Sequence, residues 1–203
     1  MEATCWSDYL CPWCYVGQDR SAQMAALGLV VVHRPYELHP EIPPEGRAIR
    51  PDGRLAATFA RIAAECEAIG LPFRPPVRMP NTRRALETAE WVRVHHADAA
   101  DALHAALFDA HFATGLAIDD PDVLDQIVGD AGASVLEVRE AIADGRASAL
   151  VDASMAEARS AGVSSTPTWV LNDGFTIPGA LDRATLDRWI TKIVARSSSS
   201  PTT

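Results

Sequence analysis

Apolar positions alternate at the two ends of the chain and follow a helical period in the long stretch between them. Residues 3–7 and 30–38 read as strands, the second opening on Val30, Val31 and Val32, with room for one helix between Pro12 and Leu27. A parallel strand pair needs a crossover of about a dozen residues and takes the right hand, so this opening reads as a β-α-β unit. The run His39-Pro40-Glu41-Ile42-Pro43-Pro44-Glu45-Gly46 interrupts the pattern, and the period then lengthens from two to 3.6.

The clearest helical stripe is Leu55, Phe59, Ile62, Cys66 and Ile69, closed by Gly70 and Pro72. Asn81 or Thr82 is placed to cap a helix through Ala85, Ala89, Val92 and His96. The next carries Leu103, Leu107 and Ala110, with Phe108 and Phe112 on a neighbouring flank. Asp120-Pro121 pairs a capping residue with proline at the first helical position. Two more helices carry Val135, Val138 and Ile142, then Ala147, Val151, Ser154 and Ala158 as far as Gly162. Strand pattern returns over Thr168–Leu171 and Phe175–Ile177, joined by Asn172-Asp173-Gly174, a hairpin signal. A final helix sets Leu186, Trp189, Ile190 and Ile193 on one face, and the Ser, Pro and Thr beyond Arg196 predict a disordered tail. The order is therefore that of an α/β chain: β-α-β, a helical block, then β-β-α.

Of 203 residues 48% are hydrophobic, enough to fill a core, and 18 Lys and Arg against 27 Asp and Glu give a formal charge of −9. That balance argues against a nucleic-acid partner, which needs clustered cations to displace counterions. The longest apolar run, Ala25 to Val32, is broken by Gly28 and falls far short of the roughly 20 residues that cross a bilayer, so no membrane segment is expected. The start of the chain shows no export signal, which predicts a cytoplasmic protein. In that reducing compartment its four cysteines suit redox chemistry, metal binding or plain burial better than a disulfide framework.

Cys11-Pro12-Trp13-Cys14 follows the first strand directly and opens the first helix. Pro12 suits the first helical position, which puts Cys11 at the N-cap. A thiolate there meets unpaired backbone N–H groups and the positive end of the helix dipole, both of which lower its pKa. Cys11 is thus the expected attacking sulfur, exposed to its substrate. Cys14, one turn on and toward the buried side, is the expected resolving sulfur, within reach of a disulfide. Trp13 has two readings: packing against the helical block, or touching a bound partner. Asp8 either caps the turn before the helix or opposes thiolate formation at Cys11, according to its exposure.

Other chemistries are less well supported. A zinc site built on Cys11 and Cys14 lacks a second ligand pair. Asp101, His104 and His111 share a helix face but have no matching pair on another helix, while His33, His95 and His96 have no partner at useful spacing. No G-x-S-x-G elbow is present for a hydrolase. Cys5 and Cys66 read as buried thiols.

Several segments together resemble the DsbA-like thioredoxin-fold oxidoreductases, and within them the FrnE-like cytosolic branch, over nearly the whole chain. They are Ser7-Asp8-Tyr9-Leu10-Cys11-Pro12-Trp13-Cys14-Tyr15-Val16-Gly17, Pro35-Tyr36-Glu37-Leu38-His39-Pro40 with Pro44-Glu45-Gly46, and Asn81-Thr82-Arg83-Arg84-Ala85. Near the end come Gly162-Val163-Ser164-Ser165-Thr166-Pro167-Thr168-Trp169 and Ile177-Pro178-Gly179-Ala180.

The resemblance implies a thioredoxin fold with an inserted all-helical domain, dividing the chain into 1–46, 47–162 and 163–196, with 197–203 as tail. It also implies a cis Thr166-Pro167 peptide facing the dithiol, with the Thr166 backbone turned outward to pair with a substrate strand. The Thr166 hydroxyl is then placed to hydrogen-bond the Cys11 thiolate. Pro12, Trp13, Thr166 and Pro167 are the expected substrate contacts, and Asn81 is expected to border the same cleft. The activity implied is thiol–disulfide exchange on a protein or small molecule. No tightly bound cofactor is implied; glutathione as redox partner and a homodimer are left open. Two alternatives stand beside it: a glutathione-dependent transferase or isomerase like the kappa-class transferases and 2-hydroxychromene-2-carboxylate isomerases, and a peptide-binding, chaperone-like module that needs neither sulfur.

Overall fold

Strand β1 (Glu2–Ser7) has four of its six residues buried, as a central strand covered on both faces requires. A computed structural model describes residues 1–50 and 52–198 and sets β1 between β2 (Val30–Pro35), in parallel, and β5 (Thr168–Leu171), antiparallel. Strand β6 (Thr176–Pro178) pairs with β5, giving the order β2-β1-β5-β6. Helix α1 (Pro12–Ala26) makes the crossover from β1 to β2, and α8 (Arg183–Ser198) packs beside it. Ala3, Cys5, Met24, Trp169, Leu186 and Ile190 are among the buried residues joining this sheet to these two helices.

Strand β2 stops short of the expected Leu38. Tyr36 still donates its N–H to the Ser7 carbonyl at 2.9 Å, but the Leu38 N–H turns to the Asp8 carboxylate at 2.7 Å, so the chain leaves the sheet.

The interval between the two parts of the sheet holds β3 (Arg47–Ala48), α2 (Ala56–Ile69), β4 (Arg78–Met79), α3 (Arg83–His95), α4 (Ala97–Asp109), a π-helical turn (Ala110–Thr114), α5 (Pro121–Asp130), α6 (Val135–Ala143) and α7 (Arg146–Ser160). Strands β3 and β4 pair with each other in a two-residue ladder that periodicity is too coarse to reveal. The expected Asp120 cap forms, its carboxylate accepting the Asp122 N–H at 2.9 Å. Phe108 and Phe112, expected on a side flank, are fully buried, because Tyr9 and Tyr15 cover that flank with ring centroids 4.8 Å from Phe108 and 5.3 Å from Phe112.

Cys14, Tyr15 and Val16 belong to the same apolar cluster as Ile62, Leu103 and Val151, so α1 is held between the sheet and the helical core. Trp189, expected on one face of α8 with Leu186 and Ile190, is 38% exposed while those two are buried, and meets Phe175 edge-on at 5.8 Å. Helix α8 runs to Ser198, two residues into the expected tail, and the rest of that tail lies outside the described residues. Among the described residues no helix is long and apolar enough to cross a membrane.

Candidate active site

The expected helix entry forms. Cys11 sits at the N-cap of α1 in an extended conformation with Pro12 after it, and accepts the Cys14 N–H at 2.9 Å through its carbonyl. Its own N–H reaches the Asp8 carbonyl at 3.0 Å, closing the turn between β1 and α1. Both cysteines are thiols here. Cys14 is 3% exposed, on the buried side as expected; Cys11 is only 7% exposed, against the expectation of an open sulfur. The reason is that Tyr9 and the helical core close around Cys11 while the Thr166 carbonyl accepts its S–H at 3.6 Å.

These surroundings drive the two sulfurs apart. Cys11 is lowered below the usual thiol value, first by a hydrogen bond from Cys14; burial opposes this, and Thr166 and the Cys14 backbone add to it. Cys14 is raised well above the usual value, first by burial and then by its bond to Cys11. A thiolate is therefore favoured on the N-cap sulfur and disfavoured one turn later.

Thr166 and Pro167 are joined by a cis peptide. The Thr166 hydroxyl is buried without a hydrogen-bond partner in the dithiol state, yet it lies near enough to both sulfurs to favour their anions. Pro167 is buried against Gly17, where a Cβ would come within 3.3 Å of the proline ring and of Trp169. Trp169 is anchored beneath α1 by its indole N–H, 3.0 Å from the Ser21 hydroxyl. Gly17 thus sets how closely the proline approaches the sulfur-bearing helix. Its type was legible, but its role needs the distance.

Asp8 resolves to a buried acid. Fully covered, it accepts the N–H groups of Leu38 at 2.7 Å and Leu10 at 3.3 Å, and burial pushes it up to about 6. Ionised, it works against the Cys11 thiolate. Pro12 and Trp13 are half-buried, and Trp13 packs on the helical core with the Arg61 guanidinium 5.6 Å above its ring. Asn81 donates to the Ile42 carbonyl at 2.6 Å and accepts the Arg83 N–H at 3.0 Å, so its amide fastens the loop after β2 to the start of α3.

Cys5 is raised by burial, and burial pushes Cys66 up to about 11, so both remain thiols near neutral pH. His33 and His104, which sequence spacing leaves apart, stack with ring centroids 4.0 Å apart, and His104 also meets the Tyr9 hydroxyl at 3.0 Å. Only the tertiary fold, which sets α4 across from β2, brings them together. Among the described residues no group of three or more His, Cys, Asp or Glu side chains is arranged to hold a metal ion.

A buried dithiol at a strand-to-helix turn, opposite a cis-proline, defines the thioredoxin-fold class, and the comparisons agree. The DSBA-like thioredoxin domain matches residues 3–191, so the chain belongs to that family. A probable DsbA oxidoreductase of Streptomyces coelicolor is 26% identical, with a TM-score of 0.86 over 100% of this chain and 93% of that one. A 2-hydroxychromene-2-carboxylate isomerase is 16% identical, with a TM-score of 0.81 and full coverage of both chains. The cytosolic disulfide reductase DsbM of Pseudomonas aeruginosa, solved also with GSH, is 18% identical with a TM-score of 0.66 over 98% of this chain and 100% of that one. No curated protein matches the sequence.

Proposed function

We propose that this chain is a cytoplasmic thiol–disulfide oxidoreductase acting through Cys11 and Cys14. The observation that carries the reading is the placement of the two sulfurs: Cys11 at the N-cap of α1 with its sulfur 3.6 Å from the Thr166 carbonyl, and Cys14 buried one turn on. In the reducing direction the Cys11 thiolate attacks one sulfur of a substrate disulfide. A Cys11–substrate bond forms, the substrate S–S bond breaks, and the other sulfur leaves as a thiolate that takes a proton from water. Cys14 then gives up its proton and attacks Cys11, the mixed disulfide breaks, and the second substrate sulfur leaves as a thiol. Two electrons have passed to the substrate and the protein holds a Cys11–Cys14 disulfide; the reverse sequence oxidises a dithiol.

In this reading Pro12, Trp13, Thr166 and Pro167 contact the substrate, and Asn81 borders the cleft from the loop after β2. Loss of the Cys11 proton removes the S–H donor to Thr166, which frees that carbonyl for a substrate N–H. The division at 46 and 162 is the same proposal applied to domains, with the sulfurs on the first part and Thr166 on the third. The DsbM relative solved with GSH supports glutathione as redox partner, in place of a tightly bound cofactor.

A glutathione-dependent isomerase reading differs in needing one sulfur only. Cys14→Ser separates the two. Incubated with oxidised glutathione, Cys14→Ser is expected to accumulate a mixed disulfide on Cys11, seen as a glutathionyl adduct by mass spectrometry, and to lose disulfide reduction. Absence of the adduct, or reduction at the native rate without Cys14, contradicts the dithiol mechanism.

A further inference from the structure

Strand β2 is an edge of the sheet, and its register with β1 decides which of its backbone groups are in use. Val30 and Tyr36 donate to Met1 and Ser7 at 2.9 Å, so even-numbered residues face β1, and Val31, His33 and Pro35 turn their backbone groups away. Pro35 has no N–H, and its carbonyl accepts the Ser154 hydroxyl at 2.9 Å. The N–H and C=O groups of Val31 and His33 have no partner among the described residues. They repeat about every 7 Å, the two-residue spacing of an extended chain.

This free edge forms one wall of a cavity of about 370 Å³, and α3 and α4 form the other. Ala89, Ala97 and Ala100 give that far wall an apolar stretch among Glu90, Arg93 and Asp101. The stacked rings of His33 and His104 also line the cavity, and His33 Nδ1 and His104 Nε2 are buried there without hydrogen-bond partners. Burial pushes His33 down to about 4 and His104 well below its usual value, so both are neutral near pH 7. The charges in the cavity largely cancel, because Arg34 and Arg93 hold Glu90 at 3.0 and 2.7 Å. Asp101 alone of the lining acids is exposed and joins no ion pair among the described residues.

We propose that this cleft binds an extended peptide segment, which adds to β2 as an outer strand through Val31 and His33. Small apolar side chains lie against Ala89, Ala97 and Ala100, and a basic group sits at Asp101. Ring nitrogens and free backbone groups supply the hydrogen bonds, as in other strand additions. The cleft adjoins the sulfur-bearing turn through Tyr9, whose hydroxyl meets His104 at 3.0 Å, but it does not include the sulfurs. The proposal therefore stands apart from the redox reading.

The test follows the amide NMR signals of the full-length, ¹⁵N-labelled protein during titration with acetyl-Lys-Val-Ala-Val-Ala-Thr-amide and with its Glu-for-Lys counterpart. The Val31 and His33 signals are expected to shift saturably and exchange more slowly, with the lysine peptide binding about threefold more tightly. Val31→Pro removes an outward N–H on an edge strand along with a side chain that packs on the sheet core; it is expected to abolish binding while leaving disulfide reduction intact, which shows that the fold survives. Asp101→Asn, which leaves the strand untouched, is expected to equalise the two peptides. No shift at millimolar peptide, or equal binding by Val31→Pro, overturns the proposal. Protection of the same amides that grows with protein concentration and no peptide also overturns it, by naming a second copy as the occupant.

Discussion

The sulfur of Cys11 and the carbonyl oxygen of Thr166 stand 3.6 Å apart, although 155 residues separate them in the chain. The contact joins the two ends of the thioredoxin unit across everything between them. It also puts the Thr166 hydroxyl where it favours the Cys11 anion.

Thr166→Val keeps the side-chain shape and removes that hydroxyl. A hydrogen bond to a charged group contributes about 1.5–3 kcal/mol, so Cys11 is expected to titrate higher. The reduced state loses the same stabilisation, and the reduction potential falls by about 30–65 mV. Thiolate absorbance against pH measures the first effect; an unchanged titration removes the hydroxyl from the account.

Asp8 carries a pH signature. Its folded value of about 6 stands above the ordinary 3.8, so the folded state binds more protons between those values. Stability is therefore greatest below about pH 4 as far as this group is concerned, and is lost as pH rises through 6, by roughly 3 kcal/mol in all. Denaturant unfolding between pH 4 and 7 is expected to show that negative slope, and Asp8→Asn to flatten it. The same substitution removes a charge that opposes the thiolate, so Cys11 is expected to titrate lower.

Gly17→Ala sets a helical gain against a close contact. Alanine stabilises a helix interior by about 1 kcal/mol over glycine. Here its Cβ meets the rings of Pro167 and Trp169 at 3.3 Å, and neither ring is flexible. A net loss of about 1–2 kcal/mol is expected, read as a lower Tm. A higher Tm indicates that Pro167 can move away freely.

Tyr15→Phe probes the attachment of α1 to the helical core. The Tyr15 hydroxyl serves the Pro72 carbonyl at 2.9 Å and the Asp109 carboxylate at 3.0 Å. Its removal is expected to cost about 1–2 kcal/mol in denaturant unfolding, with the Cys11 titration unchanged. A shifted titration instead makes Tyr15 part of the sulfur environment.

Local chemistry was legible where neighbouring residues carry it. Pro12 after Cys11, Asp120 before Pro121, and the stripe from Leu55 to Ile69 each predict an element that the structure contains. Long-range packing was not. Phe108 and Phe112 are buried because Tyr9 and Tyr15 arrive from elsewhere in the chain, and Cys11 is covered because Thr166 and the helical core close over it. The His33–His104 stack and the β3–β4 ladder are likewise products of tertiary contact, with no period of their own. The position of Thr166-Pro167 opposite the sulfurs came from family resemblance, since nothing in its own composition points there.

The most direct test of the dithiol account is the redox equilibrium of Cys11 and Cys14 in defined glutathione buffers, read by thiol trapping and peptide mass mapping. The account predicts one reversible two-electron step confined to Cys11 and Cys14, with Cys5 and Cys66 reduced throughout. Failure of the pair to form a disulfide at any ratio, or a disulfide that involves Cys5 or Cys66 instead, contradicts it.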